Sequence, residues 1–446
     1  MPLDRFDVIV VGGGPMGLST AYECAKVGKR VLILEKFVFF NQSGSSGDLV
    51  RMFRTAYTED FMADLAFKTM ALWNDLEAQI GPLRVMNGLL NFGDPNYGAG
   101  GPEGTLTGPI PNLEKYGMRY RRLTRDQIEE ENPFQNLPDS WEGLDIDDNG
   151  VINVPLLTRS LYQLCEHYGV RFMQYADVKR IRPDLSTIDS WIVDVELGSD
   201  KGSSVAPAPY HASAPKIALT CGAYVNHVLY PSFNFTLNLS IWEMTSMYFQ
   251  MDSKVTFPKM WFQFAEDTPE SKPVSNLFYG FPAVPWGPPG AARIAVDAAT
   301  RIVTDPDQRS PTHFSSEDLE NTRQWVRQHI VGVGEDPVPV FASGCLQTNV
   351  YDNMFVLDYI PDQLLPALTP SRRHNSIAVF TAGWGMKFVP LIGKILKELL
   401  VDGHTQYDIS QFKIDRSSSE GHIINYGPVG TGDRVTSYAK GSSLRR

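Results

Sequence analysis

Asp7-Val8-Ile9-Val10-Val11-Gly12-Gly13-Gly14-Pro15-Met16-Gly17 decides how this chain begins to fold. Its β-branched run reads as a strand buried on both faces, since a strand with one wet face would alternate apolar and polar residues. Apolar residues at helical spacing follow over residues 16–27, and residues 31–34 make a second buried strand. Strand, Gly-rich turn, helix and strand form one βαβ unit. The spacing Gly-x-Gly-x-x-Gly is weak alone and gains weight directly after a strand and ahead of a helix. Gly12 permits the tight turn, Gly14 lets a pyrophosphate approach the backbone, and Gly17 lets helix and strand pack closely. Pro15 and Met16 open the helix, whose N-terminal N–H groups favour phosphate. Glu35, ending the second strand, stands where a carboxylate accepts hydrogen bonds from ribose hydroxyls and disfavours a 2′-phosphate. A bare strand–helix turn is the competing reading; glycines, strands and acid agree against it. The unit binds a dinucleotide, and these residues do not separate FAD from NAD.

The rest of the composition narrows the class. At 446 residues, with 43% hydrophobic and 20% charged residues, the chain suits two or three compact units. A net charge of −11 argues against partnership with nucleic acid or an anionic membrane, while leaving room for a local cationic pocket. Cys24, Cys165, Cys221 and Cys345 show no paired spacing, so neither a disulfide framework nor a metal site is expected. No run approaches the roughly 20 apolar residues of a membrane span. The ending Leu444-Arg445-Arg446 is not a Ser-Lys-Leu type of peroxisomal address. A soluble, cytoplasmic protein is the expectation.

Along the chain, residues 61–80 read as a helix, and 92–140, rich in Gly and Pro, as loop-heavy. Residues 156–167 read as an amphipathic helix, 170–172 as a short strand, and 191–197 as a half-buried strand. Residues 216–220 lead into Cys221-Gly222-Ala223. Residues 236–340 are aromatic-rich and strand-like, with Pro-dense turns such as 285–290. Strand, Gly-rich turn and helix return at 378–381, at Gly383-Trp384-Gly385, and at 391–400. The tail 415–446 is polar and either wraps the surface or is disordered.

A family resemblance enters at Ser45-Ser46-Gly47-Asp48-Leu49-Val50-Arg51-Met52-Phe53-Arg54-Thr55-Ala56-Tyr57. This stretch resembles the flavin-proximal segment of the monomeric sarcosine oxidase family, which includes N-methyltryptophan, pipecolate and fructosyl-amino-acid oxidases. Phe278-Tyr279-Gly280-Phe281-Pro282, Cys345-Leu346-Gln347-Thr348 and Gly383-Trp384-Gly385-Met386-Lys387-Phe388 follow in the family's order. The likeness covers nearly the whole chain except the tail, and it favours FAD over NAD. It implies an α/β fold: a Rossmann-like FAD-binding domain with a discontinuous β-rich (α+β) substrate domain. The FAD-binding domain would take residues 1–85, 145–235 and 341–414, and the substrate domain 86–144 and 236–340. A monomer acting on a small amino-acid-like substrate is implied, with O2 reoxidising the flavin to give H2O2.

The resemblance also implies site residues. Cys345 matches the Cys that carries an 8α-S-cysteinyl bond to the flavin, and Arg51 and Lys387 could supply the positive charge such an attachment needs. Arg54 and Lys387 match the two carboxylate-binding positions, where an arginine fork pairs bidentately with a carboxylate. Tyr279 resembles a substrate-pocket residue. Lys36, Ser46, Val178, Gly222, Gly383, Gly385 and Met386 complete the candidate cofactor contacts. Glu59 is a candidate to orient Arg54, or equally a solvated helix start. The chemistry asks little of acid–base groups: a neutral amine passes hydride from its α-carbon to flavin N5, and the protein orients the reactants. Arg293 stands where the family places a Lys that promotes reaction with O2, Asp297 replaces a pocket His, and Gln347 replaces a cavity Tyr. The family's His residues near Ser45 and Ser46 are absent. These departures keep two alternatives open: a dehydrogenase or demethylase with another electron acceptor, and a non-catalytic flavin-binding protein.

Overall fold

The run Val8–Val11 forms an interior strand of a six-stranded sheet in the computed structural model of the chain. The structure describes residues 3–97, 104–187, 189–198, 207–265, 277–297, 301–310, 316–350, 352, 354–366, 374–417 and 426–427. Across the sheet the strands run Arg171–Met173, Val31–Leu34, Val8–Val11, Lys216–Leu219, Ile377–Thr381 and Val356–Tyr359. The first five are parallel and the last antiparallel. Side chains of a strand alternate between faces, and both faces are covered here. Val8, Val10 and Ile33 pack with the helices Pro15–Lys26, Val154–His167 and Val389–Lys397. Ile9, Val11 and Leu32 pack instead on a smaller sheet of Ala176–Pro183, Trp191–Leu197 and Ala208–Ala214. Burial on both faces is why these strands carry no polar alternation.

A second sheet has nine strands. Its order is Arg301–Val303, Leu239–Gln250, Ala291–Val296, Phe278–Phe281, Met260–Phe264, Leu89–Gly93, Glu142–Ile146 and Tyr120–Thr124, with Pro339–Val350 also paired to Leu239–Gln250. All neighbours are antiparallel except Met260–Phe264 with Leu89–Gly93. The helix Ser316–His329 covers it through Trp325, which stacks on Trp261 and Phe278 at ring-centroid distances of 5.3 and 4.6 Å. The fold is thus α/β: a Rossmann-like unit joined to a β-rich unit assembled from separated segments. The second sheet holds its last strand to Val350, beyond the boundary at 341 read from the sequence, because Leu239–Gln250 pairs along that strand's length.

The expectation of a loop-heavy 92–140 is corrected. The helix Ile110–Lys115, the strand Tyr120–Thr124 and the helix Arg125–Glu131 lie within it. Each is too short to show a period, and tertiary partners stabilise them. Thr124 and Gln127 form a reciprocal capping box, worth about 1 kcal/mol at the N-cap. Of the tail, the described residues beyond 417 are Tyr426–Gly427, which pair with Thr236–Leu237. Among the described residues no helix is long and apolar enough to cross a membrane.

Candidate active site

A cavity of about 530 Å³ draws its wall from both sheets. Gly12, Gly14, Pro15, Met16, Glu35 and Lys36 line it, with Ser46, Val178 and Gly222. The same space is lined by Arg51, Arg54, Tyr279, Arg293 and Cys345, and by Gly383, Gly385, Met386 and Lys387. Of the candidate cofactor and catalytic residues, Gly17 stands apart from this wall. Its place is packing: a Cβ there would lie 1.9 Å from the Gly12 carbonyl oxygen. Gly12 itself has φ of +104°, and a Cβ on it would come within 2.6 Å of the Thr220 carbonyl oxygen. A dinucleotide cradle therefore fits this turn, which admits backbone only. Gly17→Ala should destabilise the fold by about 3 kcal/mol, the upper range for overpacking, and abolish FAD retention. Thermal unfolding and flavin content of the purified protein check this.

Glu35 is buried and ties the second strand to the turn. It accepts hydrogen bonds from the N–H groups of Gly13 at 2.7 Å and Phe37 at 2.9 Å, and from Asn41 Nδ2 at 3.1 Å. Burial raises its pKa, and these donors offset part of that rise. Beside it, Lys36 Nζ sits 4.6 Å from the centroid of the Tyr224 ring.

Arg54 and Lys387 meet around one ring. Arg54 Cζ is 4.9 Å from the centroid of Tyr57, and Lys387 Nζ is 5.7 Å from the same ring and 4.9 Å from Trp384. Both cations are almost fully buried, at 3% and 7% exposure, so both face the cavity from a low-dielectric wall where a charge is attracted strongly. The helix Asp60–Ile80 holds Lys387 in place, because the indole N–H of buried Trp73 donates to the Lys387 carbonyl at 2.7 Å. Glu59 is the N-cap residue of that helix.

Cys345 lies on Pro339–Val350 opposite Met244. Its strand is stitched to the loop before Arg51: the Leu346 N–H donates to the Gly44 carbonyl at 3.3 Å, and the Ser45 hydroxyl donates to the Leu346 carbonyl. Arg51 Nη2 in turn donates to the Ser45 carbonyl at 2.8 Å. The thiol and the guanidinium thus share a few residues of wall. Gly383 packs closely nearby, since a Cβ there would come 2.3 Å from Asn349 Oδ1 and 2.7 Å from Gln347 Cγ.

Arg293 lies on the second sheet, across from Tyr248 in register. Its Nη2 is 2.9 Å from Asp48 Oδ2, donates to the Ser246 hydroxyl, and reaches the Tyr279 hydroxyl at 3.3 Å. Asp48 is buried and also accepts from Arg51 Nη1 at 2.6 Å, Tyr248 Oη at 2.8 Å, Ser246 Oγ at 3.1 Å and the Leu49 N–H at 2.7 Å. Burial by itself would raise this carboxyl's pKa, but Arg293 and then Arg51 hold it well below the usual range. Tyr279 stacks on Phe262 with ring centroids 5.9 Å apart. Asp297 and Gln347, the departures from the family pattern, line the same cavity.

Asp48 and Tyr57 stand in the matched stretch without an assigned role, and Ser246 and Tyr248 carry no signal in the sequence. Ser246 and Tyr248 stand two apart on one strand and so share a face. That spacing was visible, but nothing local says which face meets Asp48.

Known proteins resemble the chain along most of its length. The chain matches the family described as FAD dependent oxidoreductase over residues 7–399. It is 50% identical over 93% of its length to a protein named as a bifunctional amine oxidase of Dictyostelium discoideum, and spans 37% of that protein. It is 27% identical to the peroxisomal sarcosine oxidase of Homo sapiens, covering 94% of this chain and 98% of that one. Among solved structures, NikD, an amino acid oxidase essential for nikkomycin biosynthesis, superposes with a TM-score of 0.79 at 32% identity, covering 92% of this chain and 97% of that one. The chain belongs to the FAD dependent oxidoreductases and, within them, to the sarcosine oxidase-like group. It is an FAD-dependent oxidoreductase.

Proposed function

We propose that the chain oxidises a secondary (N-alkyl or cyclic) or primary amine beside a carboxylate, as a monomer, with O2 as acceptor and FAD joined to Cys345. One observation carries this reading: the glycine turn, Cys345 and the Arg54–Lys387 pair line one continuous cavity. Bound FAD would supply a two-electron oxidant: the neutral amine would lose a hydride from its α-carbon and a proton from nitrogen to become an imine, and O2 would take up both as H2O2. The protein's share is orientation and electrostatics. Arg54 and Lys387 hold the substrate carboxylate, which aims the neighbouring C–H bond. The buried wall disfavours a charged amine, so the reactive neutral form is favoured. Arg51 offsets negative charge developing near Cys345. Arg293 places a permanent cation on the second-sheet wall, the role proposed for it in reaction with O2.

A second reading, a dehydrogenase with another acceptor, has one observation in its favour. Arg293 is already engaged by Asp48, so its charge is partly offset. Anaerobic mixing with N-methyl, cyclic and primary amino acids, followed by air, separates the readings. Flavin bleaching and fast reoxidation with peroxide is the expected result. Bleaching with slow reoxidation selects the dehydrogenase, and no bleaching by any amine overturns both.

A further inference from the structure

Five donors converge on Asp48 from two parts of the fold. Arg51 and the Leu49 N–H come from its own segment, while Ser246, Tyr248 and Arg293 come from two neighbouring strands of the second sheet. The carboxylate is 4% exposed and Arg293 is 2% exposed, so bulk water screens neither. Two guanidiniums share one carboxylate, and the cluster carries a net charge of +1. All the hydrogen bonds Arg293 makes among the described residues use Nη2, whereas its buried Nε has no partner there. A guanidinium relieved of Asp48 would have Nη2 as well as Nε to offer an anion.

We propose that Asp48 is a positioning residue that pins Arg293 and offsets its charge, so that the substrate carboxylate is left to Arg54 and Lys387. This rests on the proposed reading of the site as one for a carboxylate-bearing amine. It gives a physical reason why three buried cations in one cavity do not compete for one carboxylate: one of them already has an anion at 2.9 Å. Orientation follows from the same contacts, since Ser246 and Tyr248 fix the carboxylate and the carboxylate fixes Nη2.

The test titrates acetate into the flavin-loaded protein and follows the flavin absorbance. Arg293→Gln should leave acetate affinity within about threefold of wild type, because Asp48 holds the Arg293 Nη2 and keeps that donor from the ligand. Asp48→Asn should tighten acetate by roughly tenfold, the scale of one hydrogen bond to a charged group. The double variant Asp48→Asn/Arg293→Gln should return to within about threefold of wild type. A purely structural role for Asp48 would loosen the cavity and weaken acetate instead. Weakening beyond about tenfold in Arg293→Gln would make Arg293 itself a carboxylate holder and overturn the proposal. So would unchanged or weaker acetate binding in Asp48→Asn. Should Asp48→Asn fail to fold, the Arg293→Gln arm decides alone. Arg54→Met is the separate control: if it leaves acetate binding unchanged, the carboxylate reading of the site fails, whatever the Asp48 arms show.

Discussion

Replacing Arg54 by Met should lower kcat/KM for a carboxylate-bearing amine by about 10²- to 4 × 10³-fold, since leaving a buried charge without its partner costs about 3–5 kcal/mol. The substrate carboxylate would then enter a wall that keeps only Lys387, and its C–H bond would lose part of its aim. A matched amine lacking the carboxylate should lose far less, because it never used Arg54. Arg54→Lys should recover part of the loss: lysine keeps the charge but not the planar fork. Steady-state kinetics on the two amines makes the comparison, with unfolding temperature as the control for the packing of Arg54 against Tyr57. Equal losses on both amines would mean that Arg54 supports the wall rather than the substrate.

The second large effect is all-or-none. Wild-type protein denatured in acid should keep its flavin fluorescence on a denaturing gel, and Cys345→Ser should release all of it. Of the four cysteines, Cys24 and Cys165 are fully buried, with thiol pKa values raised by burial, so neither presents a thiolate. Cys221 lines the cavity, but burial pushes its thiol up to about 12. Cys345 is partly open and beside the Ser45–Arg51 segment. Release of flavin from the wild type would end the covalent assignment. Retention by Cys345→Ser would move it to another residue.

How much of this could be read beforehand depends on how local each feature is. The turn at Gly12–Gly17 was legible because strand burial, backbone freedom and helix start lie within a dozen residues. The cofactor's identity was legible through short matched segments far apart in the chain. The elements within 92–140 were not, since each is one or two turns or a short strand stabilised by partners elsewhere. Phe92, for instance, packs its ring 4.6 Å from that of Phe134. The Asp48 cluster was out of reach for the same reason in stronger form. Its partner Tyr248 stands 200 residues away, and an acid in a Gly- and Ser-rich loop reads by default as solvated. Arg293 was placed near the flavin by alignment alone. What the alignment could not supply was the carboxylate facing it.

The stitch between Gly44, Ser45 and Leu346 bears on how the molecule keeps its cofactor. The glycine turn belongs to one sheet and Cys345 to the other. A flavin bound at the turn and joined at Cys345 becomes a crossbar between them. A freely exchanging ligand stabilises its protein by mass action and drains away on dilution. A tethered one stays at high effective concentration however dilute the protein becomes. Occupancy would then be set once, when the bond forms, and the two sheets would share that history for the life of the chain.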